Sequence, residues 1–478
     1  MRNIVLIAIH EWRLQSRRKL AILLLGIFQI LLIASLFNGW SYTKNMDNYQ
    51  THFQDLVNQQ WAAQPDRHPH RVAHFGTYGF RPANTLGLFD SGVNHLLGNT
   101  LFLEAHRQNA SQFSETQSGG NIVGFIPVST ANLLLMLWPL LLVVLAQDAM
   151  SQEVRSKRFA LLQTTGVKLP ELLLGKSLAY LTLSVLFLLP TFALTALLAQ
   201  YLPAQSDTDL AVRLAALFAC YLLYSFWWVV FILMVSTLIK NSMTNLSLLV
   251  ASWLLFCLIL PKLLASYAYH DVDIPSQALF EKQLIEATQK IGNSHNPNDP
   301  YFSNFKQQVL QQYNKESVEE LPVNYAGLVM AEGEKLTSHV FDQHYQKILD
   351  HYQQQNRWLS LGMLLSPYVL VKEWSMKICA TDSRHFYYFE KQAEKYRYNL
   401  IQELNHLHTE KVDYKTNKTQ RLDQEHWQML PSFSYQPPDF KWSIQAPWFE
   451  KWILVWWLIL VVVGLILVKY KGSQYAAS

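Results

Sequence analysis

Residues 125–202 decide how the chain folds. Phe125–Gln147 reads FIPVSTANLLLMLWPLLLVVLAQ, Asp148–Gly175 reads DAMSQEVRSKRFALLQTTGVKLPELLLG, and Lys176–Leu202 reads KSLAYLTLSVLFLLPTFALTALLAQYL. Each apolar block is longer than the roughly 20 residues a helix needs to cross a bilayer. The stretch between them is polar and basic, as expected of a linker on the side of the membrane where lysine and arginine accumulate.

The same pattern extends outward in both directions. The chain has 478 residues, half of them hydrophobic and 15% charged. It predicts an all-α membrane protein with six transmembrane helices at 19–40, 125–147, 176–202, 213–239, 246–267 and 452–468. Pro139 and Pro190 fall inside spans, where neighbouring helices can satisfy the freed carbonyls. Arg2, Arg13, Arg17, Arg18 and Lys19 precede the first span, Lys240 follows the fourth, and Lys469 and Lys471 follow the sixth. With an even number of spans, all these basic segments share the cytoplasmic side with residues 148–175, and so do both termini. The two long polar segments, 41–124 and 268–447, are then periplasmic insertions, and 469–478 is a cytoplasmic tail.

Residues 1–18 read as a helix lying in the interface, with Trp12 at headgroup depth. The alternatives are an extension of span one or a cleaved signal peptide. The second insertion reads as long helices. Its apolar piece Trp358–Val371 is short for a span and is broken at Ser366-Pro367. A little strand is expected in the first insertion. The net charge of +4 is not arranged as a nucleic-acid stripe. Cys220, Cys257 and Cys379 form no CxxC pair and no disulfide framework.

Two clusters are candidate sites. Between spans two and three, Val154, Arg158, Leu161 and Leu162 fall near one helical face, and Glu153, Arg155 and Lys157 supply charge. A short helix of this kind suits a groove on a partner; a solvated loop with orienting charges fits the same spacing. Gly166 can close that helix in a left-handed turn, and Pro170 can open the next. In the first insertion, His68, His70, His74 and His106 invite a metal, since imidazole suits copper or zinc. With no HExxH, paired cysteine or methionine cluster beside them, they read first as structural histidines, with no metal assigned.

The run Asp148, Glu153, Leu161-Leu162, Thr164, Gly166, Leu169 and Gly175-Lys176 resembles the signature of ABC-2 type permeases, and HEWRLQSRRK resembles that family's opening. HPHRVAHFGTYGFRP, LFLEAHRQN, LPVNYAGLVMAEGE, FDQHY, LSPYVLVKEWSM, ATDSRHFYYFEKQAEKYR and QELN resemble one subgroup. In it, a large extracytoplasmic domain of unknown function is inserted between spans one and two and between spans five and six. The resemblance implies the permease subunit of an ABC transporter, without catalytic residues or a cofactor of its own. ATP and Mg would sit on separate ABC ATPase subunits. Glu153, Val154, Arg155, Arg158, Leu161, Leu162, Thr164, Gly166 and Lys168 would couple to them.

The resemblance further implies pairing with a second permease copy or a related permease, as a homo- or heterodimer. Membrane lipids and a periplasmic or outer-membrane partner are the other expected contacts, and nucleic acid is not one. A path would run beside spans two and five, with Asn132, Trp138 and Trp253 as lining candidates. LPELLLGKS ends like a phosphate loop, but Pro170 replaces its first glycine and Leu172–Leu174 are bulky, so it cannot wrap amides round a phosphate. A membrane-anchored metal-handling or enzymatic protein, and a mechanotransmission subunit acting on a periplasmic partner, stay open as other functions.

Overall fold

A computed structural model describes residues 2–109, 128–202, 209–292, 294, 296, 299–445, 452–453 and 455–466. Residues 110–127, covering the end of the first insertion and the start of span two, and 467–478, covering the end of span six and the tail, lie outside the described residues.

Among the described residues, five helices are long and apolar enough to cross a membrane: Lys19–Ala62, Thr130–Glu153, Leu169–Ala199, Leu210–Leu238 and Ser242–Asp271. A shorter apolar helix, Val455–Ile466, stands where the sixth span is expected. It runs along Leu210–Leu238 in the same direction: Trp457 meets Trp227 edge-on, and a Cβ on Gly464 would collide with Met234. The chain is an all-α membrane protein, with one three-stranded sheet as its only described sheet.

Labels follow the chain: α1 (Arg2–Ser16), α2 (Lys19–Ala62), α3 (Pro69–Phe75), β1 (Thr77–Phe80), β2 (Thr100–Glu104), β3 (Arg107–Gln108) and α4 (Thr130–Ala146). Then come α5 (Ser151–Arg155), α6 (Arg158–Thr164), α7 (Leu169–Ala199), α8 (Leu210–Leu238), α9 (Ser242–Leu254) and α10 (Leu260–Asp271). A π turn, Leu255–Ile259, joins α9 to α10. The polar segment continues with α11 (Gln277–Ile291), α12 (Pro300–Tyr313), α13 (Tyr325–Leu365), α14 (Pro367–Ile378) and α15 (Ser383–Lys411).

Prolines inside the spans leave carbonyls without an amide, and neighbours supply the missing donor. Pro139 frees the carbonyl of Leu135, and the Tyr224 hydroxyl donates to it at 2.7 Å. Near Pro261 in the fifth span, the Ser366 hydroxyl donates to the carbonyl of Phe256 at 2.6 Å. The same Ser366 caps α14 by accepting the Val369 amide.

The helix carrying span one does not stop where its apolar run stops near Trp40. It continues through polar residues to Ala62, with no glycine or proline between Ser41 and Ala62 to end it. Its continuation packs on the polar domain, where Gln50 donates to the Arg81 carbonyl, and the end of the apolar run approaches it too closely for a Cβ, which on Gly39 would collide with the Leu88 carbonyl.

The two polar insertions form one domain. β1 pairs antiparallel with β2 (Thr77 opposite Leu103), and β2 with β3. Asp90 of the first insertion is fully buried between Lys372 (2.7 Å) and the Ser375 hydroxyl (2.6 Å) of the second. Such a buried charge is tolerable because it is both paired and hydrogen-bonded. α14 also packs on the spans, with Ser375 beside the Tyr221 hydroxyl at 3.3 Å and Ile378 accepting from Arg213 at 2.9 Å. This domain caps one end of the bundle. Residues 147–168 and the turn at Ile239–Asn241 lie at the other end, where the Ser236 hydroxyl near the end of α8 accepts the Met150 and Ser151 amides.

Candidate coupling site

At the end of the bundle opposite the polar domain, α5 and α6 form a short bent arm between α4 and α7. The bend is at Lys157, whose φ of 58° is left-handed. α6 ends in a paired turn: the Gly166 amide donates to the Gln163 carbonyl and the Val167 amide to that of Leu162. Gly166, at φ 85°, occupies the position that favours glycine. Pro170 lies in the first turn of α7, where no intrahelical partner is needed for its missing amide.

Buried charges fasten this arm. Lys176 Nζ lies 3.0 Å from Glu153 Oε1 and 2.8 Å from Glu11 Oε2, and the three side chains are 3–9% exposed. Tyr180 donates to Glu11 at 2.7 Å, and Gln15 donates to Tyr180 at 2.8 Å. The carbonyl of Leu145, at the end of α4 and short of helical partners, accepts from Gln15, Arg18 and Tyr180, each at 3.3 Å. Burial alone would raise the Glu11 carboxyl. The charge of Lys176 and hydrogen bonds from Lys176, Tyr180 and Gln15 outweigh it and hold the group below its usual range.

α1 lies lengthwise on the start of α7 because Ala8, Glu11 and Gln15 share one buried face. Gly175 allows the approach: a Cβ there would stand 2.7 Å from Ile7. Asn3 reaches Glu171, and the Trp12 indole donates to Thr182 at 2.9 Å. The Gly175-Lys176 pair thus has a physical reading: the glycine admits α1, and the lysine joins α1, the arm and α7.

The sequence placed Glu153 among charges offered to a partner. The structure turns it inward, 7% exposed, where its pairing with Lys176 makes it an anchor of the arm. Arg155 and Arg158 stay near the surface. The first bridges Asp148 (3.1 Å) and the Lys240 carbonyl (3.2 Å); the second bonds Ser156 and lies 3.8 Å from Glu153. Leu161 points outward, 69% exposed, while Phe159 is buried and Leu162 half-buried against the core. Thr164 and Lys168 are exposed. Val154 lies on α5, its side chain outside what the structure describes.

Sequence reasoning missed Glu11 and Lys176 as partners. The signal was present: Glu11 is the sole acidic residue before Asp47, and Lys176 the sole charged residue between Glu171 and Asp207.

The three path candidates separate. Trp138 is 1% exposed, stacks on Phe187 at 4.5 Å and donates to Ser225 at 2.9 Å. It therefore faces no path within this chain and is a packing residue, since its ring is enclosed and its N–H satisfied by α8. Trp253 is half-buried and donates to the Met136 carbonyl at 2.8 Å, three residues before Pro139. Asn132 is half-buried near the start of α4, its amide held by Ser129.

The histidines separate too. His70, His74 and His106 converge, whereas His68 turns away. His68 caps α3 by accepting the His70 amide and packs edge-on to His408 at 4.4 Å. Burial lowers its pKa, against a hydrogen bond with Asn417.

A bundle of apolar helices, capped at one end by a polar domain and carrying a fastened arm at the other, defines a multi-pass membrane protein. The family model for ABC-2 family transporter protein matches residues 92–279, and that for Domain of unknown function (DUF3526) matches residues 282–436. No curated protein matches the chain. Residues 92–279 are thus similar to the ABC-2 permeases, and the domain of unknown function follows on their C-terminal side. That similarity implies ABC ATPase partners in general.

Proposed function

We propose that the chain is the membrane subunit of an ABC transporter in the bacterial inner membrane, non-catalytic itself, with both termini and residues 148–168 in the cytoplasm. ATP and Mg are held by separate ATPase chains, and hydrolysis there is transmitted through α5 and α6. The observation that carries this reading is the Lys176–Glu153–Glu11 network. An arm that receives force must be rigidly joined to the spans it moves, and a buried network in which one ammonium bridges two carboxylates does that. Meanwhile Leu161, Thr164, Lys168, Arg155 and Arg158 remain outward to meet a groove on a partner, with the anchoring charge kept inside.

The least covered span is Ser242–Asp271, which leaves Leu248, Leu255, Ile259 and Leu263 outward. This supports pairing through that side with a second copy or a related permease, with a path between the two bundles near Trp253 and Asn132. The polar domain then faces the periplasm, where a periplasmic or outer-membrane partner would meet it.

Co-purification with the ATPase, after co-expression, tests the coupling assignment. Leu161→Asp places a charge on an exposed ridge and is expected to abolish recovery of the ATPase while the chain's melting temperature stays unchanged. Undiminished recovery with both Leu161→Asp and the double change Leu161→Asp/Leu162→Asp would refute it.

A further inference from the structure

We propose that His70, His74 and His106 form a metal site in the polar domain, holding one divalent ion of the zinc class through three imidazoles and leaving one position open to solvent. The site is assembled from two elements far apart in local structure. His70 and His74 are one turn apart on α3, so they share a face; their rings meet nearly at right angles with centroids 4.6 Å apart. His106 comes from the turn between β2 and β3, its ring 5.4 Å from that of His74 and 5.9 Å from that of His70. One ring nitrogen from each residue lies within 4.8 Å of the others. A tetrahedral zinc with nitrogens at 2.0–2.1 Å needs them about 3.4 Å apart, a closure of about 1–1.5 Å that small χ rotations supply.

The surroundings make this more than a chance meeting of rings. His106 has φ 61°, a left-handed conformation uncommon for a residue with a side chain. Glu334 holds it there, accepting the His106 amide at 2.8 Å and contacting Nδ1 at 3.2 Å. Glu334 is itself 1% exposed and paired with Arg397 at 2.6 Å. Arg397 in turn donates to the Glu104 carbonyl at the end of β2, just before the turn. A carboxylate on Nδ1 selects the tautomer that presents Nε2, the arrangement by which proteins orient metal-binding imidazoles. His74 is exposed, which gives an ion an entry and leaves room for a fourth ligand. Three neutral imidazoles without thiolate select zinc or copper over magnesium or calcium.

The test needs neither ATPase nor transported substrate, so it stands apart from the coupling proposal. The full chain, purified in detergent and stripped with a chelator, is titrated with Zn2+ by calorimetry and with Co2+ by visible absorption. One Zn2+ per chain is expected, with Co2+ giving the intense bands of four-coordination. His74→Ala and His106→Ala should each weaken Zn2+ binding at least 100-fold. Glu334→Gln, with all three ligands intact, should weaken it about 10–100-fold, and His52→Ala should leave it unchanged. Zn2+ binding that survives His74→Ala and His106→Ala, or a wild-type chain that takes up none, overturns the proposal. Should the His106 variant fail to fold, His74→Ala decides alone, because that side chain is at the surface.

Discussion

Lys176→Met is the most informative single change. It removes an ammonium that contacts Glu153 and Glu11 at 3.0 and 2.8 Å and leaves two buried carboxylates with no cation but the exposed Arg158, 3.8 Å from Glu153. Removing one partner of a buried ion pair costs about 3–5 kcal/mol, because the remaining charge is stranded. At about 2 °C per kcal/mol for a chain of this size, the midpoint should fall roughly 6–10 °C. Thermal unfolding of the detergent-purified chain measures this. The triple change Glu11→Gln, Glu153→Gln, Lys176→Met removes every charge together, and should recover most of the loss because no ion is left stranded. A midpoint within about 1 °C of wild type for Lys176→Met, or a triple variant no better than the single, would refute the idea that these charges hold the arm.

Three further outcomes are expected. Gly175→Leu drives a side chain into Ile7, so α1 should lift from α7, seen as a new protease cut between Arg2 and Lys19 with the rest of the chain intact. Trp138→Phe keeps the stack on Phe187 but removes the donor to Ser225, whose hydroxyl still donates to the Tyr221 carbonyl; it should lower stability by about 0.5–1.5 kcal/mol, read by thermal melting, and leave transport unchanged. Burial pushes the Glu390 carboxyl up to about 7 from 4.5, against a hydrogen bond from Tyr345 and the charge of Arg81. Between those values the unfolded chain has lost the proton and the folded chain keeps it, so stability falls as pH rises through 4.5–7 and levels off above. Melting of Glu390→Gln across that window should lack this decline, which amounts to about 3 kcal/mol.

The spans were legible because each is an apolar run bounded by charge, and no tertiary information is needed to see that a bilayer would hold it. The turn at Gly166 and the helix start at Pro170 were legible for a similar reason, since each rests on one residue's backbone preference. The extension of α2 to Ala62 was written as an absence of glycine and proline, a weaker sign than an apolar run. The inward turn of Glu153 was not legible. It depends on Glu11 and Lys176, 165 positions apart, meeting beside Gly175, and spacing within one segment cannot report that. The union of His106 with His70 and His74 was hidden likewise, because a hairpin turn held by Glu334 makes it.

The orientation of the arm tests the central claim most directly. A cysteine at Thr164, on the exposed end of α6, is probed in intact cells with a membrane-impermeant maleimide, beside a cysteine at Lys315 in the polar domain. Labelling of Lys315→Cys in intact cells, with Thr164→Cys labelled only after the inner membrane is opened, is the expected result. Labelling of Thr164→Cys from outside intact cells contradicts it, because an arm on that side of the membrane has no ATPase to meet.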